Sequence, residues 1–255
     1  SLLPNLINNF IKNNNKGLKN YGLYEVGAVY LGDQDRDQVL SSAGIRSGAI
    51  LERHWAVKQR EADIYDVKKD LYNVLEANGI NLNSLSIIEE TPKWYHPGRS
   101  GLLSLGSSSG PELAYFGEIH PSIIKKTDLK VESVLGFEIF LDNIPESRKK
   151  IRETKSQFVV SDYQKVIRDF AFVIDEKYSS GEIINLVKNV DKELIKTVKI
   201  FDIYQGENIE KGKKSIAFNV TFEPKHKTLS EQDIEKVSKK IVSIVQSTTG
   251  AILRS

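Results

Sequence analysis

The stretch Phe201-Asp202-Ile203-Tyr204-Gln205-Gly206 is followed, after a polar turn at 207–212, by Ser215-Ile216-Ala217-Phe218-Asn219-Val220-Thr221-Phe222. Two alternating strands around a short polar turn predict a β-hairpin. Strict alternation places Phe201 and Ile203 on one face, which we interpret as the core face, and Asp202 and Tyr204 on the other. An aromatic ring beside a carboxylate suits stacking on an unpaired base and accepting a hydrogen bond from its amino group.

The residues around this hairpin predict a strand and a helix on each side of it. A strand is expected at 168–175 and a short final strand at 251–253. Between these strands and the hairpin, Ser179 and Ser230 each precede an acidic residue by three positions, which is typical of the capping box that begins a helix. The order β-α-β-β-α-β indicates a ferredoxin-like α+β domain, with two helices on one face of a four-stranded antiparallel sheet. The other face is expected to be free for binding.

The first part of the chain predicts an antiparallel sheet flanked by helices. Apolar residues at helical spacing indicate an amphipathic helix that begins near Pro4, and another that begins at Asp63 and ends at Asn78-Gly79. Strands are expected at 23–31, 41–50, 85–88, 102–105, 113–119 and 134–141. Many strands with few helices between them favour an antiparallel arrangement.

Composition describes an ordinary globular protein and excludes several classes of site. The 255 residues are 40% hydrophobic and 27% charged, and they suffice for two domains. The absence of cysteine excludes disulfides, thiolate metal sites and a cysteine nucleophile, and fits a reducing cytoplasm. We find neither a signal peptide nor an apolar run of about 18 residues that a membrane helix needs. Because methionine is absent even at position 1, we expect a fragment of a longer polypeptide.

We predict a first domain at 1–145, a linker at 146–161 and a second domain at 162–255. The linker is poor in periodic apolar residues, and its stretch 148–155 carries five cations and one anion. We interpret this charge run as a solvated linker, and a strip that contacts phosphates is the alternative. The net charge of +2 does not by itself indicate nucleic-acid binding.

Nine short motifs, taken in order, resemble the C-terminal part of the β subunit of bacterial phenylalanyl-tRNA synthetases. They are Ser1-Leu2-Leu3-Pro4, Leu23-Tyr24-Glu25-Val26-Gly27, Asp63-Ile64-Tyr65-Asp66-Val67-Lys68, His96-Pro97-Gly98-Arg99-Ser100, Gly117-Glu118-Ile119-His120-Pro121, Val166-Ile167-Arg168-Asp169-Phe170-Ala171-Phe172-Val173, Phe201-Asp202-Ile203-Tyr204-Gln205-Gly206, Gly212-Lys213-Lys214-Ser215-Ile216-Ala217-Phe218 and Lys227-Thr228-Leu229-Ser230. Each motif alone is weak. Together they cover essentially the whole chain in the right order.

The resemblance implies a non-catalytic, N-terminally truncated domain like the class II synthetase core, followed by a ferredoxin-fold anticodon-binding domain. It implies an (αβ)₂ heterotetramer that attaches phenylalanine to tRNA(Phe) in protein biosynthesis, with ATP and magnesium. The active site of that ligase lies in the α subunit. We therefore expect this fragment to dock α and to recognise tRNA, but to have no catalytic residue, cofactor, metal or activity of its own.

The resemblance also assigns roles to residues of the second domain. Tyr204 is expected to stack on an anticodon base, and Asp202 and Ser215 to hydrogen-bond to base edges. One base–aromatic stack contributes about 1–3 kcal/mol. Four cations are candidate phosphate contacts, with ordinary solvated side chains as the alternative: Arg168, Lys213, Lys214 and Lys227.

Other reactive-looking residues of the first domain have simpler explanations. His96-Pro97-Gly98-Arg99 combines an imidazole with a guanidinium, but Pro and Gly favour a turn, and we expect a turn or a subunit contact. Glu118 and His120 form a conceivable metal pair without a third ligand, and a helix that begins at Pro121 explains them better. A Gly-rich dinucleotide or phosphate loop is absent from the sequence.

The alternative to a synthetase subunit is a free-standing ferredoxin-like RNA-binding or regulatory module. The motifs in the first 145 residues argue against it. In the family, the region of the first helix lies near subunit junctions, so we expect its apolar stripe of Leu3, Leu6, Ile7 and Phe10 to form an interface.

Overall fold

The computed structural model describes residues 1–34, 37–127, 129, 131, 133–145, 161–225 and 227–254. They form two compact units, one within residues 1–154 and the other within 155–255. Apart from Ser161, the predicted linker at 146–161 lies outside the described residues, and so does its charge run. Within the described ranges, every helix is too short or too polar to span a membrane.

The first unit is a six-stranded antiparallel sheet with helices on both faces. Its strands are β1 (Tyr21–Tyr30), β2 (Gln38–Ser47), β3 (Leu85–Ile88), β4 (Tyr95–Leu105), β5 (Glu112–Ile119) and β6 (Leu135–Phe140), in the spatial order β1-β2-β6-β5-β4-β3. Its helices are α1 (Leu3–Asn15), α2 (Ile64–Ala77) and α3 (Pro121–Ile124). In β2, Ala43 packs with α1, whereas the next residue, Gly44, lies against Phe137 of the α2 cluster. The predicted antiparallel sheet with flanking helices is confirmed.

Helix α1 turns its apolar stripe inward, because three of the four predicted interface residues are buried in the core of this unit. Leu3, Leu6 and Phe10 are all buried. The Phe10 ring stacks on Tyr21 with 4.6 Å between centroids. The Tyr21 hydroxyl also donates to the Phe10 carbonyl oxygen at 2.9 Å. The expectation that this stripe forms an interface is therefore wrong.

Helix α2 begins and ends where the sequence predicts. Asp63 is its N-cap and forms a capping box with Asp66. The Arg60 guanidinium hydrogen-bonds to Asp66 and, as the largest cause, lowers the pKa of that carboxyl to about 2. After the C-cap Asn78, Gly79 has a φ of 82°, which side chains disfavour.

Strand β4 begins seven residues before the predicted start, so the expected turn at 96–99 is a bulge within a strand. Tyr95 lies opposite Ile119 of β5, and Ser100 lies opposite Gly117. Four residues of β4 therefore face a single residue of β5. Gly117 has a φ of 149°, and a Cβ there would collide with the β4 backbone at Ser100.

The second unit has the predicted ferredoxin-like topology. Its strands are β7 (Val166–Asp175), β8 (Ile195–Tyr204), β9 (Lys213–Phe222) and β10 (Ile252–Leu253), in the spatial order β10-β7-β9-β8 with antiparallel neighbours. Its helices are α4 (Ser180–Lys188) and α5 (Glu231–Thr249), which begin at the capping boxes of Ser179 and Ser230. Both helices pack on the sheet face that carries Phe172, Phe218 and Val220. The α+β fold predicted for this part is confirmed.

A β-bulge at Phe201 sets which side chains of β8 reach each face. Ile200 lies opposite Phe218, while Asp202 lies opposite Ala217, so Phe201 is an extra residue without a partner on β9. Phe201 is 58% exposed and Ile203 is 50% exposed. Ile203 lies opposite the buried Ile216, so it projects to the predicted helix side but stays half exposed, whereas Phe201 has no partner on β9. Neither residue belongs to the core cluster, which Val198 and Ile200 reach from this strand, so the prediction that these two residues cover the core is wrong.

Candidate nucleic-acid interface

The site is built on the sheet face opposite the helices of the second unit, called here the open face. On β9 the even-numbered residues from Ile216 to Phe222 enter the core, so the odd-numbered residues point to the open face. These are Lys213, Ser215, Ala217, Asn219 and Thr221. No helix among the described residues covers this face.

The three residues predicted to bind the anticodon all lie on the open face, Asp202 and Tyr204 because of the bulge in β8 and Ser215 through the alternation of β9. Directly opposed residues of an antiparallel pair project to the same side of the sheet. Asp202 lies opposite Ala217, and Tyr204 lies opposite Ser215. Because Ser215 is only 3% exposed, its hydroxyl lies at the floor of the face, whereas Tyr204 stands at the edge. The alternative that Tyr204 is a core aromatic is excluded by this register.

Two rows of side chains cross the open face. The first row runs from Tyr204 through Ser215 and Val173 to Ile252. In the second row Asp202 lies opposite Ala217, which lies opposite Ala171 of β7. The Arg254 amide donates to the Ala171 carbonyl oxygen at 2.8 Å, so Arg254 ends this row at the far edge of the sheet.

The second row therefore has an acceptor at one end, a donor at the other and two small residues between them. The carboxylate of Asp202 only accepts hydrogen bonds, and the guanidinium of Arg254 only donates them. Ala217 leaves the floor low beside Asp202, while the Arg254 side chain reaches from the far edge toward Ser215 on the same strand as Ala217. A planar group can lie on such a floor and meet hydrogen-bonding partners on two sides.

Gly206 leaves room for the Tyr204 ring. Gly206 lies in the bend that follows β8, two residues after the last strand residue, Tyr204. A Cβ on Gly206 would collide with the phenol end of the Tyr204 side chain. The ring therefore leans along the strand over a residue without a side chain, and Gly206 helps to set its position.

The four cations predicted as candidate phosphate contacts do not form one group. Lys213 projects to the open face and pairs with Glu210 at 2.6 Å, a contact that raises the pKa of the lysine. Lys214 lies on the opposite face and donates to a main-chain oxygen. Arg168 also lies on the helix side, since it is opposite the buried Val220.

Lys227, the fourth cation, lies in the loop before α5. Its Nζ is 2.9 Å from Asp233 Oδ2. This contact is the largest cause that lowers the pKa of Asp233 to about 2, ahead of the bonds to Ser230 of the same capping box. Lys227 thus supports the start of α5, and only Lys213 of the four lies on the face that carries Tyr204.

Sequence reasoning missed Arg254. The Nη1 atom of its guanidinium lies 3.5 Å from the Ser215 Oγ. No local pattern identifies this residue, because its position depends on the pairing of the two-residue strand β10 with β7. Only the three-dimensional register places Arg254 beside Ser215, which is 39 positions away along the chain.

In the first unit, the reactive-looking residues form contacts typical of structural roles. The Glu118 carboxylate pairs with Arg99 at 3.0 Å, and His120 caps α3 by accepting from the Ser122 amide at 3.2 Å. Among the described residues, no group of three or more His, Cys, Asp or Glu side chains could hold a metal.

Glu138 is a buried carboxylate that the sequence reasoning also missed. Its Oε1 accepts from the Trp94 indole at 3.1 Å and from the Tyr95 hydroxyl at 3.4 Å. Burial, with Glu138 as the next cause, raises the pKa of Tyr95 well above its ordinary value. With two neutral donors on one carboxylate, this arrangement joins β4 to β6 and offers no nucleophile.

Comparisons with known proteins match each unit to a family model. Residues 161–254 match the ferredoxin-fold anticodon binding domain, and residues 1–141 match the phenylalanyl tRNA synthetase beta chain CLM domain. The phenylalanine–tRNA ligase beta subunit of Paramagnetospirillum magneticum is 42% identical over 254 residues, which is 100% of this chain and 31% of the relative. That of Rhodospirillum rubrum is 42% identical over 255 residues, again 100% of this chain and 31% of the relative.

The same protein of Bradyrhizobium diazoefficiens is 39% identical over 259 residues, covering 100% of this chain and 32% of the relative. The chain therefore spans 31–32% of the length of these curated relatives. Since the family match to the first unit alone covers residues 1–141, more than half of the chain, and the second unit matches an anticodon-binding domain, the chain belongs to the phenylalanyl-tRNA synthetase β-chain family.

Proposed function

We propose that the open face of the second unit recognises the anticodon of tRNA(Phe). The observation that carries the proposal is the placement of Asp202, Tyr204 and Ser215 on one open sheet face, opposite the helices. A ring, an acceptor and a hydroxyl within two neighbouring rows are what the reading of a splayed-out base requires. Unpaired bases are the usual targets of sequence-specific RNA recognition, and an anticodon presents them in a loop.

We propose further that the chain acts within a complete phenylalanine–tRNA ligase, a class II synthetase and (αβ)₂ heterotetramer of the cytoplasm. In this proposal the α subunit holds the active site and uses ATP and Mg²⁺ for aminoacylation. The chain contributes tRNA recognition and subunit contacts, and it has no catalytic activity alone. A free-standing RNA-binding module is the weaker proposal, because the first unit matches a synthetase domain as well.

Aminoacylation of transcripts with replaced anticodon bases tests the first proposal. In the complete enzyme, replacing the base that stacks on Tyr204 should lower kcat/KM, while ATP–pyrophosphate exchange stays unchanged because it needs no tRNA. If the three transcripts that each carry one replaced anticodon base are charged as well as the native transcript, anticodon recognition is contradicted. Phenylalanine-dependent exchange by this chain without α would contradict the proposed lack of activity.

We propose that the α subunit docks at the outer edge of β1, since the stripe of α1 is buried. β1 is an edge strand, so its outer backbone groups lack a strand partner within the sheet. Its Tyr24 side chain is 80% exposed, and Val26 and Tyr30 project to the same face. Leu40 of β2 joins them opposite Ala28. A contiguous exposed apolar patch is typical of a protein interface.

Replacement of Tyr24 by Glu should weaken the association of the complete β subunit with α. A buried interfacial aromatic contributes at least about 2 kcal/mol where it is a hot spot, or roughly 30-fold in Kd. Co-purification and sedimentation of the two subunits measure the effect. Tyr65→Glu, at an exposed tyrosine on α2, is the matched control and should leave assembly unchanged. An unchanged complex with Tyr24→Glu would remove β1 as the docking edge.

Replacement of Gly206 by Ala should lower kcat/KM for tRNA(Phe) without removing any contacting group. The new methyl group takes the space of the Tyr204 ring, which must leave its position. A displaced rotamer costs about 0.5–1.5 kcal/mol, or about 2- to 12-fold. Gly181→Ala in α4 is the control, since its Cβ would make only ordinary contacts. Equal charging by both variants would show that the ring position does not matter.

A further inference from the structure

Arg254 lies at the opposite edge of the sheet from Tyr204, but its guanidinium reaches Ser215, the residue opposite Tyr204. Its main-chain bond to Ala171 extends the pairing of β10 by one residue. This register aligns Arg254 with the row that begins at Asp202. From there the side chain reaches back across β7, so that its Nη1 lies 3.5 Å from the Ser215 hydroxyl on β9.

Arg254 is exposed as a residue, but its guanidinium reaches a hydroxyl at the floor of the open face. Ser215 is 3% exposed, and the Arg254 guanidinium is next to its hydroxyl. A base that approaches this hydroxyl meets the guanidinium at the same place. A cation that only neutralises phosphates needs no such position, because the backbone of a bound strand remains farther from the floor than its stacked bases.

The charges of Asp202 and Arg254 are complementary to a base edge. Asp202 can only accept hydrogen bonds, and Arg254 can only donate them, with up to five N–H groups in a fixed fork. A base lying over Ala217 has the Asp202 carboxylate on one side and the guanidinium beside Ser215 on the other. Its edges carry both donors and acceptors. The two charged residues together thus offer partners for both the donors and the acceptors of a base, which neither residue offers alone.

We propose that Arg254 is a specificity-determining residue, whose guanidinium donates to acceptor atoms on the edge of the base that stacks on Tyr204. This inference rests on the proposed anticodon recognition and adds a residue to it. A bidentate arginine contact to a base edge changes discrimination by a factor of about 5 to 150. Contact with the base predicts a loss that depends on the anticodon sequence, whereas contact with phosphate predicts a uniform loss.

The test compares Arg254→Ala and Arg254→Lys in the complete enzyme, with native tRNA(Phe) transcript and with transcripts replaced at each anticodon position. Arg254→Ala should lower kcat/KM on the native transcript about 5- to 150-fold. On the transcript that lacks the base read by Arg254, Arg254→Ala should lower kcat/KM little further. The effects of removing two partners of one contact are not additive. Arg254→Lys should be nearly as poor, since it keeps the charge but loses the fork.

The salt dependence of tRNA binding distinguishes a contact with a base from a contact with the phosphate backbone. The slope of log K against log salt concentration should stay unchanged in Arg254→Ala. A slope reduced by about one, with equal losses on all transcripts, would assign Arg254 to a phosphate and overturn the inference. Full rescue by Arg254→Lys or native charging by Arg254→Ala would overturn it too.

Two further variants make a negative result with Arg254→Ala interpretable. Lys239→Ala removes one positive charge from the exposed side of α5, where the lysine pairs with Glu235, and should charge tRNA normally. Tyr204→Ala tests the proposed function itself. If Tyr204→Ala is impaired and Arg254→Ala is not, only the assignment of Arg254 fails. If neither is impaired, anticodon recognition by this face fails as well.

Discussion

Tyr204→Ala in the complete enzyme is expected to raise the KM for tRNA(Phe) and to leave phenylalanine activation intact. The ring stands at the edge of the open face, in the same row as Ser215 and on the same side as Asp202. Loss of one base–aromatic stack costs about 1–3 kcal/mol, which corresponds to about 5- to 150-fold in kcat/KM. Steady-state aminoacylation and ATP–pyrophosphate exchange measure the two effects separately.

Tyr204→Phe is the matched control for this prediction. It keeps the ring and removes only the hydroxyl, so its kcat/KM should remain close to that of the parent enzyme. The contrary outcome is normal tRNA charging by Tyr204→Ala together with reduced pyrophosphate exchange. That result would make Tyr204 a structural residue that acts on the α subunit from a distance.

Phe10→Ala is expected to lower the free energy of unfolding of the first unit by about 3–5 kcal/mol. Phe10 is fully buried, and its ring stacks on Tyr21. The substitution therefore removes core packing and leaves a cavity. Both tryptophans of the chain, Trp55 and Trp94, belong to the first unit, so tryptophan fluorescence during urea unfolding reports on this unit alone.

Tyr24→Ala is the control for Phe10, since it also shortens an aromatic side chain of the first unit. At 80% exposure, its loss should change the unfolding free energy by no more than about 0.5 kcal/mol. If Phe10→Ala unfolds like the parent chain and fails to assemble with α, helix α1 has its predicted interface role after all. Stability and assembly thus separate the two positions.

The sequence predicts the secondary structure of the second unit well because its signals are local. Ser179 and Ser230 hydrogen-bond within three residues of their own positions, so their capping boxes are visible in the sequence. Alternation likewise predicts the even-numbered core residues of β9. For the last residues of β8, alternation correctly places Asp202 and Tyr204 on the open face and Ile203 on the other side. It also predicts that Phe201 and Ile203 are buried, whereas both are at least half exposed.

The errors arise where pairing with a distant strand decides the structure. Pro97 and Gly98 favour a turn, but a bulge in β4 uses the same conformational properties, and only the partner β5 distinguishes the two. The stripe of α1 predicts a helix with one apolar face without showing that β1 and β2 cover it. Arg254 and Ser215 come together through β10 and β7, so their contact has no local signal.

The extra residue in β8 makes chain length more important than side-chain identity at position 201. Before it, the even-numbered Val198 and Ile200 face the helices; after it, the even-numbered Asp202 and Tyr204 face away from them. Many residues are acceptable at this exposed site, but a deletion would reverse the phase and turn Asp202 and Tyr204 toward the helices. One extra residue is therefore enough to divide a single strand into a segment whose even-numbered side chains enter the core and a segment whose even-numbered side chains reach the open face.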